Sequence, residues 1–336
     1  MKFGYSTTCL EHDTGPRHPE TADRIRAIRT QLQTAHGATF ADPPPADRMT
    51  IEQVHDQAYV AEIREFSADG GGSWDADTVM SDGSWDAALA SAGLAVWAAK
   101  NAIIPRDGSD IPFALGRPPG HHAVRDDAMG FCLFNNAAVA AQSLLESREA
   151  TTVAIVDWDV HHGNGTQAIF LDRADVPYAS IHEAGIYPGT GKIQEIGVDD
   201  GQGATMNIPL TAGAGTPAFV EAVEAALDPW LALWEPDVII VSAGFDAHRH
   251  DPISRLNVTT EGFGMLTDRL RTIANREDAG LAFVLEGGYG LDTLSAGVEM
   301  VHQVCHGYEP VESDDDPRPA DLGQIRAVRD AHGLGL

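Results

Sequence analysis

The chain has 336 residues, with 50 acidic against 22 basic, a formal net charge of −28 and 43% hydrophobic residues. That length and apolar content suffice for a large core, in one big α/β domain or two smaller ones, and exclude a disordered chain. No positively charged start followed by an apolar run marks a signal peptide, no apolar stretch approaches the roughly 18 residues of a membrane span, and no basic stripe exists to neutralise nucleic-acid phosphates.

Only three residues are lysines: Lys2, Lys100 and Lys192. A surface so acidic and so poor in lysine resembles that of a halophilic protein, soluble where salt screens its self-repulsion. The three cysteines, Cys9, Cys132 and Cys305, have no paired spacing and fit a reducing cytoplasm.

Along the chain, the Gly/Ser/Asp-rich stretch Asp69–Trp85 is expected to be a long functional loop. Apolar runs with strand character follow at Ile111–Leu115, Thr152–Val156, Tyr178–Ile181, Val238–Ser242 and Ala282–Leu285. Helical patterns separate them at Asn136–Glu146, Pro217–Trp234 and Glu261–Asn275. The acidic segment 309–336, with Ser313-Asp-Asp-Asp-Pro-Arg-Pro near its start, is expected to be solvated and loosely ordered. There is no internal repeat and no long low-complexity linker. The alternation implies a parallel sheet with helices on both faces, whose ligands bind at the carboxyl ends of the strands. The strands run into Gly116-Arg-Pro-Pro-Gly-His-His, Asp157-Trp-Asp-Val-His-His-Gly-Asn-Gly, His182–Gly191, Gly244-Phe-Asp and Glu286-Gly-Gly-Tyr. Five such exits suggest one shared site.

In an extended strand, residues two apart project to one side, so one carboxylate and one imidazole among Asp157, Asp159 and His161 could grip a metal, with a second carboxylate behind. A catalytic zinc takes three protein ligands and keeps a fourth position open, and Asp246 past another strand is the natural third. His121-His122 follow a turn stiffened by prolines, which is a costly way to hold two imidazoles unless their positions matter. Imidazole can take a proton from a water and return it to a leaving amine. Tyr289, flanked by glycines, could bring a phenol to a developing oxyanion. Phe131 after Gly130, and Tyr187, place rings near two other exits, enough for a narrow apolar slot.

These stretches resemble the histone deacetylase superfamily, specifically its class II and prokaryotic histone-deacetylase-like amidohydrolase branch. The matching motifs are Arg117-Pro-Pro-Gly-His-His-Ala, Gly130-Phe-Cys-Leu-Phe-Asn-Asn, Asp157-Trp-Asp-Val-His-His-Gly-Asn-Gly-Thr-Gln, Tyr187-Pro-Gly-Thr-Gly, Ser242-Ala-Gly-Phe-Asp with Asp251-Pro, and Leu285-Glu-Gly-Gly-Tyr. His18-Pro-Glu, Arg24-Ile-Arg, Asp77-Thr and Gly93 extend the match almost end to end. The resemblance implies that residues 1–336 form a single three-layer arginase/deacetylase-type α/β catalytic domain around a mainly parallel sheet of about eight strands. It implies zinc on Asp159, His161 and Asp246, and an acid–base pair in His121 and His122. Asp157 would stand behind His121 and Asn164, rather than an aspartate, behind His122. Tyr289 would be the transition-state tyrosine, Gly130, Phe131 and Tyr187 would line the acetyl-lysine tunnel, and Asp77 would be a rim carboxylate. A structural potassium ion would use Asp157, Ser180 and Ile181, with main-chain oxygens of Asp159 and His161, and His162 would orient rather than ligate.

The implied reaction is zinc-dependent hydrolysis of the acetyl amide of acetyl-lysine. The alternative within the same chemistry is an acetylpolyamine amidohydrolase. A manganese ureohydrolase of the same fold would need more bridging aspartates, and a silent acetyl-lysine binder would lack a ligand, histidine or tyrosine, whereas none is missing. The implied partner is an acetylated protein or polyamine in the cytoplasm, with no nucleic acid and no membrane, and an oligomer is compatible with the sequence.

The charge makes a prediction of its own. The screening length falls from about 10 Å at 0.1 M salt to about 3 Å at 1 M, which removes most repulsion between surface carboxylates. Thermal unfolding should therefore shift upward from low to molar NaCl, and KCl should exceed NaCl at matched ionic strength if a potassium ion binds the folded state. Equal melting temperatures at every concentration would reject the halophilic reading.

Overall fold

The computed structural model describes residues 1–103, 111–312 and 315–335, so Ser313 and Asp314 of the acidic tail lie outside the described residues. Ten strands form, in chain order β1 (Lys2–Gly4), β2 (Phe40–Ala41), β3 (Gly71–Ser73), β4 (Val79–Ser81), β5 (Pro112–Ala114), β6 (Val153–Asp157), β7 (Tyr178–Glu183), β8 (Thr205–Leu210), β9 (Val238–Ala243) and β10 (Gly280–Leu285). Eight of them make one sheet in the order β2-β1-β5-β10-β9-β6-β7-β8, parallel at every pairing. Every residue of β5 to β10 is buried, which a sheet achieves only when both faces are covered. This is why the strands read as continuous apolar runs rather than alternating ones.

The cover comes from helices α1 (Asp23–His36), α2 (Arg48–Glu52), α3 (Gln57–Ala68), α4 (Ser84–Ala102), α5 (Asn136–Glu146), α6 (Asn164–Phe170), α7 (Thr216–Glu221), α8 (Asp228–Trp234), α9 (Thr260–Arg276), α10 (Leu291–Cys305) and α11 (Pro319–Ala331). The alanine-rich α4 and α5 pack on each other and on the strands, while α1, α10, α9 and α7 pack in series. The run 216–234 is helical throughout, as its periodicity predicts, but Ala222–Leu227 has π geometry between α7 and α8. Pro229, which has no N–H to donate to the helical ladder, is the second residue of α8 that follows.

Two expectations are corrected. Asp69–Trp85 is not a long loop: β3 and β4 pair antiparallel within it and α4 starts at Ser84. The tail is not loose over 319–331, because α11 forms there and packs beside β8. Asp321, fully buried, accepts from Thr211 and from Arg318, so a side chain that looks solvated in the sequence anchors the helix. No helix among the described residues is long and apolar enough to cross a membrane.

Parallel pairing brings all the strand exits to one edge of the sheet, and a buried ionic network stiffens that edge. Glu20 accepts from Arg117 through both carboxylate oxygens (2.9 and 2.6 Å) and from Arg24 (3.1 Å), all three residues being inaccessible to solvent. Arg117 also donates to the carbonyls of Cys9 and His12. His18-Pro-Glu and Arg24-Ile-Arg, near the start of the chain, thus tie the N-terminal segment to the strand exits.

Replacing Glu20 by Gln leaves two buried guanidiniums without a counter-charge, and breaking such a pair costs about 3–5 kcal/mol. Burial pushes the Glu20 carboxyl up, but Arg117 and Arg24 overcome this and hold its pKa at about 2, below the ordinary 4.5. A depressed carboxylate stabilises fully above its unfolded pKa and loses that contribution as pH falls through its folded one. Denaturant titrations should show Glu20→Gln weaker than wild type at pH 7, with the gap narrowing as pH drops from 4.5 towards 2. A gap that does not change with pH would refute the charge argument.

Candidate active site

β6 ends at Asp157, and the chain then turns instead of staying extended. Asp157 Oδ1 accepts the N–H of Asp159 (3.1 Å), and Asp159 Oδ1 accepts the N–H of His161 (2.9 Å). The alternation expected from an extended strand is therefore replaced by side chains that capture the backbone two residues on. Between the two aspartates, Trp158 is buried against Phe245, Phe263 and Phe283. That aromatic base leaves the carboxylates on the other side of the chain.

From β9, Asp246 meets them. Asp159, His161 and Asp246 each offer a ligand atom within 4.8 Å of the others. His161 Nδ1 lies 3.1 Å from Asp159 Oδ1 and 3.4 Å from Asp246 Oδ2. Asp159 Oδ2 accepts from the N–H of Gly287 (2.8 Å) and Asp246 Oδ1 from that of Val160 (2.9 Å), which fixes both carboxylates. Gly244 and Gly287 lie so close to these carboxylates that an added Cβ would collide with Asp159 from one and Asp246 from the other. Asp246 Oδ2 is buried and receives no hydrogen bond. Two buried carboxylates face one imidazole, so burial and Asp159 push Asp246 up to about 7, while the carboxylates overcome burial to raise His161 to about 10. An orphaned carboxylate oxygen in a nitrogen–oxygen donor set with surplus negative charge fits a bound zinc ion.

The histidine pair stands beside this group. His121 Nδ1 donates to Asp157 Oδ2 (2.9 Å), and its Nε2 lies 3.8 Å from Asp159 Oδ1. His122 Nδ1 bonds Asn164 Oδ1 (2.7 Å) at the start of α6, and the two rings are 4.0 Å apart. The partners split the pair. Burial disfavours charge on both rings, but Asp157 and Asp159 hold His121 well above the usual imidazole range. His122 has only a neutral amide and stands next to His121, so burial and that neighbour push it well below.

Tyr289, after β10, meets Phe131 edge-on at 5.8 Å, and the Arg24 guanidinium lies over its ring at 4.8 Å. Phe131 has φ +70°, a left-handed conformation costly for a bulky residue and concentrated at functional sites. Tyr187 is exposed and meets His122 edge-on at 5.1 Å, with Gly130 packed against the same two rings. His18 packs on Phe131 and donates from Nε2 to the carbonyl of Asp77, placing half-buried Asp77 at the same mouth. Asp75, Asp77 and Asp127 all bear electrostatically on Tyr187.

Strand register sets Asp157 beside Ser180, with Ile181 next along β7. Ser180 Oγ bonds His182 Nδ1 (2.9 Å). His162 bonds Thr190 and Gln167 and stays apart from the three-ligand group. The sequence reading singled out no role for Glu20, Arg24, Arg117 or Glu286. Their motifs are visible, but Arg117 lies 97 residues from Glu20 and Gly120 lies 166 residues from Glu286, and no local pattern joins groups so far apart.

The histone deacetylase domain, as a family, matches residues 18–305 of this chain. The chain is 36% identical to the histone deacetylase-like amidohydrolase of Pseudomonas aeruginosa, over 85% of this chain and 81% of that protein. It is also 36% identical to a probable deacetylase of Archaeoglobus fulgidus, over 84% and 79%. The crystal structure of the HDA15 HD domain superposes with a TM-score of 0.90 at 35% identity, covering 98% of this chain and 93% of that one.

Proposed function

This chain belongs to the histone deacetylase family, and from that premise we propose that it is a zinc-dependent deacetylase that hydrolyses the acetyl amide of acetyl-lysine and releases acetate. The observation that carries the reading is the convergence of Asp159, His161 and Asp246, with an orphaned Asp246 oxygen, beside a histidine pair whose partners drive its members apart. A zinc ion held there would supply Lewis acidity towards the acetyl carbonyl and lower the pKa of a water. Only one group of three potential ligands occurs among the described residues, which favours this over a two-metal ureohydrolase.

The chain's own residues do the rest. His122, kept neutral with its Nδ1–H committed to Asn164, has Nε2 free to accept the proton of the attacking water. His121, kept cationic by Asp157, opposes the developing negative charge. The Tyr289 phenol, lying in the field of Asp159 and Asp246, donates to the carbonyl oxygen as charge builds on it. The departing amine recovers its proton from the histidine pair. Phe131 and Tyr187 wall the entry for a methylene chain, and a potassium ion on Asp157, Ser180 and Ile181 would brace β6 against β7. The carboxylates at the mouth also favour a second substrate class, acetylated polyamines, since a cationic tail is attracted whether it belongs to a peptide or a polyamine.

Purified protein should carry one zinc per chain by metal analysis, and Asp246→Ala should lose it. Two tightly held manganese ions would overturn the reading in favour of a ureohydrolase.

Tyr289→Phe should keep zinc and fold while kcat falls by roughly 100- to 1000-fold, as expected for one lost oxyanion donor. Unchanged turnover on an acetyl-lysine peptide would reduce Tyr289 to a packing residue. Parallel assays on acetyl-lysine peptides, acetylspermidine and acetylputrescine separate the two substrate classes.

A further inference from the structure

Glu286 leaves the end of β10 fully buried, with 0% exposure, and no step described above uses it. Its Oε2 accepts the N–H of Gly120 (2.7 Å) and the N–H of His121 (3.1 Å). Its Oε1 is buried and receives no hydrogen bond, so the acid is not placed here to bind another side chain. The segment from Arg117 to His121 is thus gripped at both ends: Glu20 takes the Arg117 guanidinium, and Glu286 takes the backbone under the histidine pair. The residues after Glu286 reach the other parts of the site. Gly287 donates to Asp159, Arg24 donates to the carbonyls of Glu286 and Gly288, and the same guanidinium covers Tyr289. One strand exit therefore touches the histidine backbone, the ligand group and the tyrosine.

We propose that Glu286 is a positioning residue: its carboxylate holds the Gly120–His121 backbone so that the His121 and His122 imidazoles keep their distance from the Asp159–His161–Asp246 group and from Tyr289. The argument is geometric. Two adjacent backbone N–H groups converge on one oxygen, and a side chain that fills the same volume without an acceptor leaves them unpaired. Relaxation of that turn moves both imidazoles at once, and a shift of about 1 Å in catalytic groups costs on the order of 100-fold in rate. The catalytic consequence rests on the deacetylase reading; the hydrogen bonds do not.

Glu286→Gln keeps the shape and one acceptor oxygen, and should hold kcat within about threefold of wild type. Glu286→Ala removes the acceptor and should lower kcat on the order of 100-fold, with KM within about twofold and zinc content unchanged. Amide hydrogen exchange gives a readout independent of turnover: Gly120 and His121 should stay protected in wild type and Glu286→Gln and exchange faster in Glu286→Ala. If Glu286→Ala does not fold, Glu286→Asp decides, since it keeps the charge but shortens the reach, and it should lower kcat about tenfold with faster exchange at the same amides. Wild-type kcat in whichever of these two folds, a loss seen mainly in KM, or unchanged protection at Gly120 and His121 would overturn the proposal. So would a Glu286→Gln as impaired as Glu286→Ala. Wild-type protein inactive on every acetylated amide would sink the deacetylase reading alone, and exchange would still decide whether Glu286 holds the turn.

Discussion

The site depends on one constraint: Asp159 is buried where the exits of β6, β9 and β10 converge, and a buried carboxylate must be surrounded by donors. Its Oδ1 takes the backbone and ring of His161, and its Oδ2 takes the N–H of Gly287 across the strand order. Those contacts turn the chain after β6, bring β10's exit against β6's, and leave room only for glycines where β9 and β10 pass. With Asp246 added there is more negative charge than one imidazole can neutralise. Such an arrangement suits a bound cation.

The same logic separates the two histidines. Both are buried and their rings are in contact, so the difference between them comes from what stands behind each: a carboxylate for His121, an amide for His122. Asn164 accepts from His122 while its own Nδ2 turns to the carbonyl of His122 and the sulfur of Met129, which holds the amide in the orientation that leaves Nε2 of His122 available. A neutral partner thus sets a tautomer without adding charge, and the pair can hold a proton on one ring while the other accepts.

Positive charge is scarce in this chain, and two of its arginines are spent deep inside. Arg24 and Arg117 share Glu20, and through backbone carbonyls they reach the N-terminal segment and the Tyr289 loop. The surface is left strongly acidic, and the mouth carries Asp75, Asp77 and Asp127. Buried arginine and exposed carboxylate do different work: the first ties loops together by direct hydrogen bonds, and the second acts through a field that salt screens.

The sheet was legible in the amino-acid sequence wherever a strand is buried on both faces. Val153–Val156, Val238–Val241 and Leu281–Leu285 are apolar runs of four or five residues, each leading within a few residues into a stretch rich in Gly and Asp or Glu. Lys2–Gly4 and Phe40–Ala41 were not legible, because two or three residues carry no period, and Thr205–Leu210 hides behind an asparagine and a proline. Asp159, His161, Asp246, His121, His122, Phe131, Tyr187 and Tyr289 could be named as metal-binding, proton-carrying or aromatic from their chemistry and family likeness, whereas Arg117 and Glu286 in the same exits could not. The turn that aims Asp159 and His161, the sharing of Glu20 by two arginines and the seat of Glu286 under the histidine pair came only with tertiary structure. A residue's chemistry is local and is written in its own side chain, whereas a hydrogen bond between Glu286 and Gly120 exists only because parallel strands carry both exits to the same edge of one sheet.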